Sequence, residues 1–295
     1  MAVLAADLPS ASRHVVLGLV STAGKGLRRT LVEVCAGEGS YAAVRAASVV
    51  ELLHLASLLH DDVIDQAEVR RHLPAAHVTL GTEVALLTGL AVFGLAAQEA
   101  AELGAGANRT FATTAAHLAR GEMLDVQRAF DVDFSLADYD ELVRQKTGRL
   151  FWLACVLGGQ AAGRSAADLA VLGQFGMDLG AAFQILDDTL DLDLDRTDKP
   201  AGTDHLLGLF GAPTLAALRR DRSGRLAELL LDVSFSAADL PAVRSMVEEL
   251  GGLTEARGLA GACFRRALGR LDELSDESTR QRVLAVAQAE WSKLG

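Results

Sequence analysis

Six aspartates in two runs of the same spacing are the residues of this chain best suited to chemistry: Asp61-Asp62-Val63-Ile64-Asp65 and Asp187-Asp188-Thr189-Leu190-Asp191. Each run follows an apolar stretch, Leu58-Leu59-His60 in the first and Phe183-Gln184-Ile185-Leu186 in the second. Residues four apart on a helix share a face, so Asp61 projects with Asp65 and Asp187 with Asp191. Asp62 and Asp188 lie about 100° round the axis, near the same edge. Like charges at this spacing destabilise an isolated helix by roughly 0.2–0.5 kcal/mol per pair. Two helices with the same unfavourable arrangement point to a cation between them. Hard oxygen donors without Cys or His nearby favour Mg²⁺, which takes a few carboxylates and completes its shell with water and substrate phosphate.

The elements that must hold these carboxylates are helical. The chain has 295 residues, half of them apolar, and its composition is rich in Ala, Leu and Gly. Helical periodicity recurs throughout, and no alternating Val/Ile/Thr/Tyr run marks a strand. Ser135 leads into a helix over Leu136–Thr147, Ser165 into Ala166–Gly173, Ser236 into Leu240–Leu250, and Thr254 into the helix after it. The offsets Ser165 to Asp168 and Ser236 to Asp239 have the form of capping boxes. About ten helices in a single all-α domain over 1–295 is the expectation. Asp193 to Thr203, rich in Asp, Lys, Pro and Gly, reads as a lid-like loop after the second run.

A net charge of −11 argues against nonspecific nucleic-acid binding. It still permits an anionic substrate, because metal ions and a local basic cluster reverse the sign inside a cleft. Cys35, Cys155 and Cys263 lack metal spacing and read as free thiols in a reducing cytoplasm. The longest uncharged apolar stretches, Val84–Gln98 and Leu150–Gly163, fall short of the ~20 residues that cross a bilayer, so no transmembrane segment is expected. No signal peptide is evident at the N-terminus. Val84–Gln98 is too apolar for a free surface helix; it suits a dimer interface or the centre of a bundle. The basic residues form four small sites: Lys25 with Arg28 and Arg29, the Arg70-Arg71 pair, Lys146-Thr147 at the end of its helix, and Lys199. With two acidic faces, they describe a pocket for a polyanion bridged by metals.

In these motifs the chain resembles the trans-prenyltransferases, the polyprenyl diphosphate synthases. The resemblance rests on Glu51-Leu-Leu-His54-Leu-Ala56-Ser57-Leu-Leu-His-Asp61-Asp62-Val-Ile-Asp65, then Arg70-Arg71, Pro74 and His77. It continues through Gly121-Glu122-Met123-Leu124, Lys146-Thr147-Gly148-Arg149-Leu150-Phe151 and Gly180-Ala-Ala-Phe183-Gln184-Ile-Leu-Asp187-Asp188-Thr-Leu-Asp191. It ends at Lys199-Pro-Ala-Gly202-Thr203-Asp204, so it covers roughly Gly24 to Leu218. It implies a bundle of helices whose two aspartate runs face each other across a deep central cavity and bind Mg²⁺, three ions in that family. Asp61, Asp65 and Asp187 would be the principal ligands, with Asp62, Asp188 and Asp191 direct or through water. Arg70, Lys146, Gln184 and Lys199, with Thr147 beside them, would contact the allylic diphosphate. Lys25, Arg28, His54 and Arg71 would bind the diphosphate of isopentenyl diphosphate. A homodimer is also implied. Small residues at Ala56 and Ser57, one turn before Asp61, leave no bulky ring to stop a growing chain, which implies a product of C20 or longer.

This chain departs from the family pattern in places. Gly26 and Arg29 stand where the family usually has Arg and Pro, His72 where Gly usually follows the paired arginines, and Leu90 where Asp is common. A Lys usual near the Gly211–Thr214 segment is absent. Two other readings share the scaffold: a class I terpene cyclase or irregular coupling enzyme, and a non-catalytic subunit of a heteromeric synthase. Cyclases commonly replace the second run with an Asn/Ser/Glu triad, and non-catalytic subunits typically lose one run. This chain keeps both.

Overall fold

The structure is a computed structural model and describes residues 4–22, 26–37, 41–192 and 202–293. Lys25, Lys199 and residues 193–201 of the expected lid lie outside the described residues. Among the described residues the chain forms fifteen α-helices and one two-stranded hairpin. In order these are α1 (Ser10–Ser21), α2 (Leu27–Ala36), α3 (Tyr41–Ile64), β1 (Val69–Arg70), β2 (Leu73–Pro74), α4 (Ala76–Leu80), α5 (Thr82–Glu102) and α6 (Ala105–Gln127). They continue with α7 (Leu136–Val143), α8 (Arg149–Ala161), α9 (Ala166–Asp191), α10 (Thr203–Leu206), α11 (Ala212–Arg220) and α12 (Arg225–Leu230), then α13 (Leu240–Glu249), α14 (Gly252–Arg270) and α15 (Glu277–Trp291).

Two compact units divide the chain. The first comprises residues 1–116, 150–173 and 273–290, and the second 117–149, 174–272 and 291–295. Helix α3 is the spine of the first unit. It packs along α5 and against α2, and Val49, Val50 and Leu59 on it are fully buried. Its mixed apolar surface, with little amphipathic bias in sequence, suits a helix covered on several sides. Helices α2 and α8 come close because position 158 is glycine: a Cβ there would meet the Val32 carbonyl oxygen at 2.5 Å. In the second unit the end of the chain is fastened by aromatics. Trp291 stacks on Phe264 with centroids 4.2 Å apart and meets Phe183 edge-on at 6.2 Å. Phe183 lies one turn before Asp187, so this contact steadies the end of α9 that carries the second run.

The capping signals are realised. The Ser135 hydroxyl accepts from the Asp138 N–H and the Ser165 hydroxyl from the Asp168 N–H, each at 3.1 Å. Ser236 and Asp239 complete a reciprocal capping box. The helix expected after Thr254 begins earlier, at Gly252, because Gly251 takes the left-handed conformation, φ 76°, that ends one helix and starts the next.

Two expectations need correction, and one small element had no sequence signal. Lys146-Thr147 does not end a helix: α7 runs through one π-helical turn, Arg144–Gly148, directly into α8. The Arg70-Arg71 pair sits on a hairpin in which Val69 pairs with Pro74 and Arg70 with Leu73. Strands of two residues are too short to show alternation. Arg71 and His72 form its turn at φ 53° and 63°, a geometry that favours glycine and costs a side-chain-bearing residue roughly 1–2 kcal/mol. By length and composition, α3, α5 and α9 are each long and apolar enough to cross a membrane, which counting only uncharged stretches did not reveal. In α3 and α9 most of the apolar window is buried within the protein; in α5 only 33% is.

Candidate active site

Within the first unit the first aspartate run closes α3. The Asp65 N–H still donates to the Asp61 carbonyl at 2.7 Å, so both side chains keep the helical register although α3 ends at Ile64. Asp61 and Asp65 are half-buried, whereas Asp62 has no exposed surface. The Arg70 Nε and Nη2 both reach Asp62 Oδ1, at 2.6 and 2.5 Å. Asp62 Oδ2 is buried with no hydrogen-bond partner among the described residues. Burial raises the Asp62 pKa above the usual carboxylate value, and Arg70 offsets that only in part. Arg70, expected at a substrate phosphate, is here the partner of an aspartate.

The residues expected at isopentenyl diphosphate gather on α2, α3 and the hairpin. Arg28 Nη1 lies 3.1 Å from His54 Nε2, and its guanidinium sits over the Phe151 ring at 5.0 Å. Arginine only donates, so His54 Nε2 accepts and the ring proton rests on Nδ1, which is buried without a partner among the described residues. Burial lowers Arg28 to about 10, with the nearby Arg71 adding to the effect and Glu51 opposing it. Burial and the charges of Arg28, Arg71 and Arg70 push His54 well below the ordinary histidine range. Arg71 itself donates to the Leu19 carbonyl at 2.7 Å. Beside it opens a cleft of about 500 Å³ lined among others by Gly26, Arg29, Glu51 and Arg71. Arg29 enters this cleft paired with Glu33 at 2.8 Å.

These charges give one pH effect. The unfolded chain protonates His54 near pH 6.5 and the folded chain does not, so the group's contribution to stability is complete above that pH and is lost as pH falls below it. Stability should drop by about 1.4 kcal/mol per pH unit below ~6.5 from this group alone. Denaturant titrations at pH 7.5 and 5.5 should show His54→Gln losing less stability between the two than the wild type. Equal losses would place His54 in a more solvated setting than the structure shows.

In the second unit the π-helical turn arranges the other cluster. In a regular helix Tyr139 and Thr147 would be about 80° apart in projection; one inserted residue restores them to nearly the same face. Both then reach α9. The Thr147 hydroxyl donates to Gln184 Oε1 at 2.7 Å, Gln184 Nε2 donates to Asp188 Oδ1 at 2.8 Å, and the Tyr139 hydroxyl donates to Asp188 Oδ2. The turn fits because Gly121 leaves room for it; a Cβ there would come within 2.9 Å of the Lys146 backbone nitrogen. Lys146 Nζ bonds Asp125 at 2.6 Å and Glu122 at 2.9 Å. Burial opposes ionisation of Asp125, but Lys146 and Arg128 outweigh it and hold its pKa below the usual value.

The three aspartates of the second run differ. Asp187 is exposed. Asp188 is pushed up to about 7 by burial, with the like charges of Asp204 and Asp187 adding to it. Asp191 is buried, 3.7 Å from His205 Nδ1, and His205 Nε2 in turn meets the Thr214 hydroxyl at 2.7 Å. Tyr139, Asp125, Arg128 and His205 were not found from the sequence. Tyr139 had one available signal, as one of only two tyrosines in the chain, placed on the Lys146 helix.

Among the described residues no three His, Cys, Asp or Glu side chains converge to hold a metal ion by themselves. Asp61 and Asp65 in the first unit are half-buried and Asp187 in the second is exposed; carboxylates of this kind would hold a hard divalent cation together with substrate phosphate.

The sequence profile of the polyprenyl synthetase family matches residues 10–248. The chain belongs to this family. Its helical fold is the isoprenoid-synthase type, and it is a chain-elongating prenyl diphosphate synthase. It is 32% identical over 288 residues to a nonaprenyl diphosphate synthase of Mycobacterium tuberculosis, covering 95% of this chain and 86% of that one. It is 33% identical over 273 residues to heptaprenyl diphosphate synthase component 2 of Geobacillus stearothermophilus, covering 90% and 85%. A polyprenyl synthase from Caulobacter crescentus, solved with calcium and isoprenyl diphosphate, superposes with a TM-score of 0.85 at 29% identity and covers 96% of this chain and 88% of that one. As a family, polyprenyl synthetases use a divalent metal to hold diphosphate.

Proposed function

We propose that this synthase joins isopentenyl diphosphate to an allylic diphosphate, with Mg²⁺ as the metal and a product of C20 or longer. The observation that carries the reading is the division of each aspartate run into members with solvent access and members held inside the protein. Asp61 and Asp65 are half-buried and Asp187 is exposed, and these three would take the metal, while Asp62, Asp188 and Asp191 are buried or internally bonded. Ionising an allylic C–O bond leaves a carbocation and a diphosphate whose charge must be stabilised. Mg²⁺ when bound supplies Lewis-acid stabilisation of that charge. Lys146 and Thr147 would contact the departing diphosphate; Lys146 is held by ion pairs to Asp125 and Glu122. Arg28, His54 and Arg71 would orient the isopentenyl diphosphate, and apolar walls would exclude water from the cation. Lys25 and Lys199 would join them by resemblance. The cyclase and non-catalytic readings are not favoured, because both runs are complete and the relatives are synthases.

The family match draws on segments of both units, which supports their acting as one isoprenoid-synthase domain. Helix α5 buries Ala85, Thr88 and Val92 and leaves Val84, Leu87 and Leu90 exposed at 43%, 63% and 59%. That outer apolar face supports a homodimer, and sedimentation showing a monomer at micromolar concentration would remove it. Three free, buried cysteines fit a cytoplasmic location, which cell fractionation would read.

Product length has a direct test. Ala56 is buried and Ser57 half-buried one turn before Asp61, with the Ser57 hydroxyl donating to the His54 carbonyl at 2.9 Å. A phenylalanine there would fill roughly one isoprene unit of depth, comparable with the ~5.4 Å helical pitch. Ser57→Phe is the cleaner variant, since Ala56→Phe also overpacks a closed core position. With isopentenyl diphosphate and an allylic primer, the wild type should release C20 or longer diphosphate and the variant shorter chains. Release of only C10 or C15 by the wild type would overturn the length reading.

A further inference from the structure

The structure assigns Tyr139 a positioning role: with Gln184 and Gly211 it locks Asp188 as an internal anchor, so that the end of α9 presents the neighbouring Asp187 to metal and diphosphate. The inference rests on the proposed function of the same site and adds a residue to it. Both oxygens of Asp188 are committed, Oδ2 to the Tyr139 hydroxyl and Oδ1 to the Gln184 amide. The third side is closed by Gly211, where a Cβ would lie 2.5 Å from Asp188 Oδ2 and 2.8 Å from its Cγ. Tyr139 is 3% exposed, so its hydroxyl requires a partner inside the protein, and Asp188 is that partner. The donors converge on Asp188. Thr147 donates to the Gln184 carbonyl, Gln184 donates to Asp188, and Tyr139 donates to the same carboxylate from the other side.

This fixes the Gln184 amide by its partners at both ends and leaves it no alternative orientation. Asp187 precedes Asp188 by one residue, about 100° round the same helix, and is exposed. An Asp188 released from Tyr139 would rotate, loosen Gln184 and Thr147, and change where Asp187 points. Groups that orient a metal-binding carboxylate through hydrogen bonds typically change metal affinity by 10–100-fold when removed.

Tyr139→Phe keeps the ring and removes only the hydroxyl. Gly211→Ala keeps the hydroxyl and pushes on Asp188 from the closed side, without backbone strain because Gly211 has an extended conformation, φ −80° and ψ 177°. Mn²⁺ binding to the full chain, read by electron paramagnetic resonance with inorganic diphosphate present, should weaken about tenfold or more in both variants. In steady-state assays the KM for the allylic diphosphate should rise while that for isopentenyl diphosphate stays at the wild-type value. Wild-type Mn²⁺ affinity in both variants, even with a lowered melting temperature, would reduce Tyr139 to a packing residue and overturn the assignment. Failure of the unmodified protein to bind Mn²⁺ with diphosphate would instead overturn the proposed function, and the Tyr139 role with it.

Discussion

Asp187→Ala and Asp61→Ala should each lower turnover by about three orders of magnitude and leave the fold intact. On the proposed function each carboxylate would hold a cation against the departing diphosphate, and metal stabilisation of that charge contributes several kcal/mol. At about 1.4 kcal/mol per tenfold, losing some 4 kcal/mol of transition-state stabilisation gives the thousandfold figure. The fold should survive because Asp187 is exposed and Asp61 half-buried. Single-turnover rates together with the circular dichroism melt of each variant check both halves. A variant that turns over within a factor of ten of wild type would remove that carboxylate from the metal site.

The residue next to Asp61 should behave in the opposite way. Asp62→Ala is expected to cost about 3 kcal/mol of stability. Asp62 has no exposed surface and its Oδ1 holds Arg70 by two contacts, so removing it strands a partly buried guanidinium. Breaking one side of a buried ion pair costs roughly 3–5 kcal/mol, and the lower end applies because Arg70 keeps some solvent exposure. The hairpin turn at Arg71 and His72, already in an unfavourable backbone conformation, would lose its tie to α3. Denaturant titration reads the loss directly. An unchanged midpoint would mean that the Asp62–Arg70 pair is not what fastens the hairpin.

The contrast between neighbouring aspartates shows what was and was not legible in the sequence. Spacing placed Asp61 with Asp65, because helical period is a local property; the same spacing set Asp191 with Asp187, yet Asp191 is buried beside His205 while Asp187 is exposed. The caps at Ser135, Ser165 and Ser236 were legible for the same reason: their partners lie three residues away. The inward role of Asp188 was not legible, because it depends on Tyr139, 49 positions away, and on a glycine at 211. The π-helical turn depends likewise on Gly121, in a different helix from Lys146. The hairpin escaped because its strands are two residues long and its turn lacks the glycine that would announce it. Fold class needed only periodicity. The orientation of side chains in the site needed tertiary contacts.

The most direct test is condensation itself under control of the metal. Protein stripped with EDTA should incorporate no isopentenyl diphosphate into an allylic diphosphate primer, and adding Mg²⁺ should restore linear prenyl diphosphate, identified by mass, of C20 or longer. Turnover at the normal rate without metal, or a cyclised hydrocarbon as the only product, would contradict the assignment of this chain as a Mg²⁺-dependent chain-elongating synthase.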